Sequence, residues 1–297
     1  MNEKFQLFLM SWQIWGGAVL AGVAAGTVCG FLGVYVILHR IVFVSAAMSQ
    51  VSSLGVMIAF WLAQFALLEN AHPFEDVLPL SFAALFTGVF AAAMAKRSSS
   101  RTAGQLSGPG SKSSEAFIGS VYLMATAGLL LVGDRVTRGA HDVSDVLFGN
   151  AVAVDVPHLI LLLSVCIPFF LIHIVLKKDI LFISFDPVVA QTMGYPVRFL
   201  RVFLLVSLGI IISIGTRTIG ALPVFSFSVL PAMAGLALFN DLKWSFVSAS
   251  LLGALSALLG YLISFLFSFP TGACMTATAG IFLLLAKLIS SAREARS

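Results

Sequence analysis

Uncharged apolar runs recur along the whole chain, and each is close to the roughly 20 helical residues needed to cross a bilayer core about 30 Å thick. They lie at roughly 14–38, 43–68, 77–95, 116–133, 158–176, 199–215, 219–238, 244–268 and 275–290. Barrel strands would alternate apolar and polar positions, whereas Leu159 to Val165 and Val202 to Leu208 are almost wholly apolar. The expectation is an all-α polytopic membrane protein of about nine spans. Eight is the alternative, because Gly215-Thr216-Arg217-Thr218 separates two runs by a single charge and could mark a broken or re-entrant pair.

Composition agrees. Hydrophobic residues make up 59% and charged residues 10% of 297 positions, against about 25% charged in soluble domains. No polar segment is long enough to bury a core of its own, so the chain reads as one membrane domain over residues 1–297. The longest polar stretch, Lys96 to Glu115, is rich in Ser and Gly and reads as a flexible loop. Glu3 and Lys4 precede a long Gly-rich span with no small-residue cleavage site, so the first span is expected to remain.

Accepting nine spans, Arg40, Lys96, Arg97, Arg101, Lys112, Lys177, Lys178, Arg198, Arg201, Lys243, Lys287, Arg293 and Arg296 fall on one side and Lys4, Arg135, Arg138 and Arg217 on the other. That split of 13 to 4 places the first side in the cytoplasm, the amino terminus outside and the carboxyl terminus inside, in an inner or plasma membrane. The acids lean outward, giving a solvated outer face or one that attracts cations or a basic partner. The basic pI of about 9.1 follows from the cytoplasmic loops, and no aromatic-interleaved basic patch points to nucleic acid.

Residues that carry chemistry are scarce. Cys29, Cys166 and Cys274 form no close pair and read as small packing residues. His173 is the notable titratable side chain within a span, either packed or relaying protons. There is no H-E-x-x-H or G-x-S-x-G motif and no paired intramembrane aspartate, so catalysis by this chain is not expected. Without a buried carboxylate the case for a proton- or sodium-driven secondary transporter weakens, and energy is expected from another subunit. Gly22, Gly26 and Gly30 recur every four residues and mark a face where helix backbones approach closely. Ser49, Gln50, Ser52 and Ser53 form the most polar stretch inside a span. They line a pathway or bond between helices.

Between Lys177 and Arg198 lies Phe185-Asp186-Pro187-Val188-Val189-Ala190-Gln191-Thr192-Met193-Gly194-Tyr195-Pro196. Asp186 is expected to cap a helix of about two turns, with Pro187 at its first position and Gly194 as its stop. On physics alone such a helix is either a docking element or a connector.

The segment resembles the cytoplasmic coupling region of ABC-type metal-ion permeases, the membrane subunits of zinc, manganese and iron importers, in which an F-D-P-x-x-A-x-x-x-G-x-P pattern is typical. Phe185, Asp186, Pro187, Ala190, Gly194 and Pro196 match it. The resemblance extends through Gly30-Phe31-Leu32-Gly33-Val34-Tyr35-Val36 with Arg40, Ile118-Gly119 with Tyr122, Leu147-Phe148-Gly149, Gly220-Ala221-Leu222 through Val229-Leu230-Pro231-Ala232, and Pro270-Thr271-Gly272. It implies an ABC importer permease fold without a cofactor of its own. It also implies a cytoplasmic ATPase that binds ATP and docks on the 185–196 helix, an outer solute-binding protein and a second permease protomer. Transport would be of divalent metal ions or metal chelates, by alternating access.

One departure stands out. Where the family usually reads G-D-A-x-S-H, with Asp and His four residues apart on one helix face, this chain has Ala46 and Gln50. Alanine offers no ligand atom, and a neutral amide alone holds a cation poorly. Three explanations stand: a partner protomer supplies ligands, the substrate is a chelate or non-metal solute, or transport has been lost and the chain serves as a partner subunit. An ATPase-independent secondary transporter is the alternative from another class.

Overall fold

The computed structural model describes residues 12–64, 77–100, 112–136, 146, 154 and 156–294. Their helices are α1 (Trp12–Leu38), α2 (Val42–Gln64), α3 (Val77–Ser100), α4 (Lys112–Gly133), α5 (Val156–Val175), α6 (Lys177–Phe185), α7 (Pro187–Thr192), α8 (Val197–Ile219), α9 (Ala221–Leu238), α10 (Leu242–Phe267) and α11 (Thr271–Glu294). Among the described residues nine helices, all but α6 and α7, are long and apolar enough to cross a membrane.

Helices gain no hydrophobic driving force from one another in lipid, so close backbone approach and polar contacts must hold the bundle together. The glycine stripe of α1 provides that approach. A Cβ at Gly26 would strike the Gly253 carbonyl, one at Gly253 would strike that of Gly26, and one at Gly30 would strike the Ala249 carbonyl. The expected contact face therefore meets α10. Gly33, further along α1, sits against the Ser228 carbonyl and Ala232 of α9. Below this stripe Phe31 packs on Phe246 and Phe170, with ring centroids 4.7 and 5.0 Å apart.

Buried positions make up 72% of the most apolar stretch of α1 and of α2, but only 17% of that of α5. The centre of the bundle is thus α1, α2, α8 and α9, with α5 at its edge. Gly209 of α8 lies against Thr87 of α3 and Met48 of α2, which sets α8 alongside the polar stretch of α2. Cys29, Cys166 and Cys274 are free and buried.

Three expectations need correction. The break near 215–218 falls instead at Gly220, whose φ of 95° and ψ of 158° suit glycine and almost no other residue. Helix α8 runs through the supposed boundary because Thr216 and Thr218 donate their hydroxyls to the carbonyls of Ile212 and Ile214 in their own helix, while the Arg217 guanidinium lies 5.3 Å over the Phe60 ring. The loop drawn over Lys96 to Glu115 is shorter than expected, since α3 continues to Ser100 and α4 begins at Lys112. Good helix formers at Lys96, Arg97 and Lys112 extend both ends. The segment 177–198 holds a second helix, α6, anchored by buried Ile180 and Ile183. Residues 65–68 of the second span, residues 101–111 of the loop and Leu147-Phe148-Gly149 lie outside the described residues.

Candidate functional site

Helix α7 is only six residues long, too short to persist by backbone hydrogen bonding alone. Both its ends are closed. The Asp186 carboxylate accepts hydrogen bonds from the amides of Val188 and Val189 at 3.1 and 2.9 Å, satisfying donors that no helical carbonyl can reach. Pro187 follows at the first helical position, where its missing N–H costs nothing. At the other end Gly194 takes φ +84°, its amide bonds the Gln191 carbonyl and the Tyr195 amide bonds the Ala190 carbonyl. That paired reversal is a Schellman motif. Pro196 then sets the turn into α8.

The helix has two sides. Ala190 is fully buried against the bundle, and Tyr195 meets Phe182 of α6 edge-on at 5.2 Å. Phe185, Val188, Val189 and Met193 are exposed, an unusual cost for large apolar groups unless something covers them. The structure therefore places all six expected coupling residues in and around α7: Phe185 ends α6 and is exposed, Asp186, Pro187, Gly194 and Pro196 shape the ends of α7, and Ala190 seats it.

Helix α2 carries the second candidate region. Ser45, Ala46, Ser49, Ser52 and Ser53 are all buried. Ser45, Ser49 and Ser53 donate to the carbonyls of Val42, Ala46 and Ser49, within their own helix. Of the polar stretch, Ser49 and Ser53 thus spend their hydroxyl protons within α2 rather than on a neighbouring helix. Ser52 Oγ and Gln50 Oε1 are buried atoms with no hydrogen-bond partner among the described residues, as is Ser213 Oγ of α8. Buried polar atoms are normally satisfied, and each exception calls for an explanation. Since Met48 meets Gly209, Ser52 and Ser213 each lie one turn further along their adjacent helices. Sequence reading passed over Ser213; its only local signal is a serine in an apolar run.

Among the described residues no three His, Cys, Asp or Glu side chains are grouped as metal ligands. His173 is engaged in packing. Its Nδ1 faces the Phe169 carbonyl at 2.8 Å, so that nitrogen carries the proton, leaving Nε2 to accept from Ser207 Oγ at 3.1 Å. The ring also stacks on Phe203.

A third region was not foreseen. The turn between α1 and α2 contains His39 and Arg40, and Arg40 has φ +55°. The Arg40 amide bonds the Ile37 carbonyl and the Ile41 amide that of Val36, so α1 ends in the same reversal as α7, with arginine where glycine is usual. His39 Nδ1 lies 3.1 Å from the Tyr35 carbonyl, and Ser184 Oγ of α6 lies 3.2 Å from the ring nitrogens. Burial, helped by the Arg201 charge and opposed by the Tyr35 hydrogen bond, holds the His39 pKa down at about 4. No local pattern pairs position 39 with position 184.

The profile of the ABC 3 transport family matches residues 11–290. The chain belongs to that family. Among proteins similar to this family member is the chelated iron transport system membrane protein YfeD of Yersinia pestis, 26% identical over 288 residues, which cover 96% of this chain and 89% of YfeD. The manganese import system permease protein ScaB of Streptococcus pneumoniae is 26% identical over 290 residues, covering 98% and 95% of the two chains. Of solved structures, a chain of PsaBC from Streptococcus pneumoniae in complex with Fab superposes with a TM-score of 0.77 at 23% identity, covering 95% of each chain. A putative metal-chelate type ABC transporter in an inward-facing conformation gives a TM-score of 0.73 at 14% identity, covering 94% and 88%. The fold of this ABC 3 family chain is thus that of ABC importer permeases, a multi-pass membrane architecture.

Proposed function

We propose that this chain is the membrane-spanning permease subunit of an ABC importer for divalent metal ions or metal chelates. The observation that carries the reading is α7, a helix closed at both ends by its own residues, seated through Ala190 and presenting Phe185, Val188, Val189 and Met193 outward. Such an element suits docking to a cytoplasmic ATPase, which would bind and hydrolyse ATP while this chain performs no covalent step. A second permease protomer would complete the path and an outer solute-binding protein would deliver substrate. ATPase closure would press on Phe185, Asp186, Pro187, Ala190, Gly194 and Pro196 and rock the bundle between its two open states. This places α7 and the carboxyl terminus in the cytoplasm and the amino terminus outside.

The pathway is assigned to Ser49, Gln50 and Ser52, beside Ser213. Ser52 and Ser213 are buried, and their hydroxyls, like the Gln50 carbonyl, are unsatisfied among the described residues, which suits a solute or water passing there. With alanine at position 46, a bare metal ion would lack the carboxylate it needs. That favours a chelated metal, or a partner protomer that supplies the ligands.

The test is co-expression with candidate ABC ATPases from the same genome, comparing wild type with Asp186→Arg plus Gly194→Trp. An ATPase that stays with the wild type through detergent purification and leaves the variant supports the reading. A wild type that never retains an ATPase sinks it in favour of an ATPase-independent transporter.

A further inference from the structure

Helix α10 carries a pair of exposed aromatic rings at each end. At its start Phe239 and Trp244 have ring centroids 6.4 Å apart, and at its finish Phe267 and Phe269 stack at 6.0 Å with their planes 17° apart. A serine of the helix holds the flanking aromatic in both cases. Ser245 Oγ donates to the Phe239 carbonyl at 3.1 Å, and Ser264 Oγ donates to the Phe269 carbonyl at 2.7 Å. The rise from Trp244 to Phe267, at 1.5 Å per residue, is about 35 Å, or about 32 Å along the membrane normal at the average tilt of about 20°. A bilayer core is about 30 Å thick. The two aromatic pairs therefore fall at its two edges, the depth that Trp rings favour and at which Phe rings can lie beneath the headgroups.

Between these pairs the two flanks of α10 differ in kind. The buried flank is built of Ala249, Gly253, Ser256, Ala257 and Gly260, with Gly253 against Gly26 of α1 and Gly260 against the Met275 backbone of α11. Small residues of this sort let helix backbones approach one another in lipid. The exposed positions between Trp244 and Phe267 are Val247, Leu251, Leu255 and Leu258, spaced three or four residues apart and so on one stripe. No Gly, Ala, Ser or Thr lies among them. Helix faces that meet another protein in a membrane are enriched in those small residues, and a stripe of Val and Leu gains from a protein partner nothing that acyl chains do not already supply.

We propose that the outward flank of α10 is covered by lipid, with acyl chains along Val247, Leu251, Leu255 and Leu258 and the two aromatic pairs seated at the headgroup boundaries of the two leaflets. Any second protomer packs on another face. Because α1 meets the opposite flank, α10 transmits the height set by its aromatic ends to the centre of the bundle. The proposal requires neither an ATPase nor a given orientation of the chain, and so stands apart from the coupling reading.

The experiment places nitroxide labels on Leu251→Cys, Leu258→Cys, Phe269→Cys and Lys243→Cys in the full chain, reconstituted into phosphatidylcholine vesicles. The unsubstituted chain, whose cysteines are buried, serves as the blank. Collision with oxygen, which concentrates among acyl chains, is compared with collision with a water-soluble nickel chelate. Labels at Leu251 and Leu258 are expected to favour oxygen at least about fivefold relative to the label at Lys243, which lies at the wet end of the helix. The label at Phe269 is expected to fall between them. In a second measurement, benzoylphenylalanine at Leu255 is irradiated in the native membrane, where every subunit is present, and is expected to give no heavier protein band. Nickel collisions at Leu251 or Leu258 as frequent as at Lys243 would place the stripe in water and overturn the proposal. Loss of both kinds of collision there, or a cross-linked protein at Leu255, would cover the stripe with protein and overturn it equally. A label at Phe269 as accessible to nickel as that at Lys243 would overturn the seating of the aromatic pair.

Discussion

Ser184 Oγ sits 3.2 Å from the His39 ring nitrogens, joining two positions 145 residues apart and tying the end of α1 to the helix that leads into α7. His39 is held neutral by its surroundings, with a pKa of about 4 against an ordinary value near 6.5. The unfolded chain therefore binds more protons between those values. Stability is full above about pH 6.5 and falls as the pH drops toward 4. The midpoint of heat-induced aggregation in detergent, followed from pH 7.5 to 4.5, should decline in wild type and decline less in His39→Gln. An identical slope in both would assign the acid sensitivity elsewhere.

The Gly26–Gly253 contact leaves no room for a side chain on either helix. Gly26→Val should cost at least about 1–3 kcal/mol as an overpacked site and show as reduced folded yield on size exclusion. Gly119→Ala and Gly280→Ala meet nothing within 4 Å and should be neutral or stabilise by about 0.5–1 kcal/mol. A tolerated Gly26→Val would mean that α1 and α10 do not pack this way.

Asp186→Ala removes the acceptor for two amides of α7, a loss of about 1 kcal/mol typical of helix caps. Because α7 sits at the surface, the global melting temperature should change little while ATPase retention falls severalfold. Asp186→Asn, which keeps an acceptor oxygen, should restore most of it.

Gln50→Leu deletes a buried carbonyl oxygen that has no partner among the described residues, so folding should be unharmed or improved. Uptake by the assembled transporter should fall at least severalfold if Gln50 lines the path. Equal loss of expression and uptake would make Gln50 a packing residue.

Spans were legible from the sequence because a bilayer imposes a length and forbids charge, and the ends of α7 were legible because Asp-Pro and Gly each satisfy a local backbone demand. The Gly22, Gly26 and Gly30 stripe announced a contact face but not its partner. What the sequence hid was long-range or conformational. Thr216 and Thr218 resemble a loop until their hydroxyls are seen to bond back into α8. Ala46 was recognisable as a missing ligand, yet only the fold places Ser213 on the helix beside it. Arg40 read as an ordinary topological charge, since a left-handed turn leaves no mark when arginine occupies it.

From Val156 to Leu238 the chain has almost no spare length. Leu176 alone separates α5 from α6, Asp186 alone separates α6 from α7, and Gly220 alone separates α8 from α9, with only residues 193–196 between α7 and α8. A linkage jointed at single residues has no slack in which to lose a stroke. A displacement of the six-residue helix by a docked partner would reappear as rotation at those joints, with Gly194 beside α7 and Gly220 at the far end of α8 both free to turn where other residues are not.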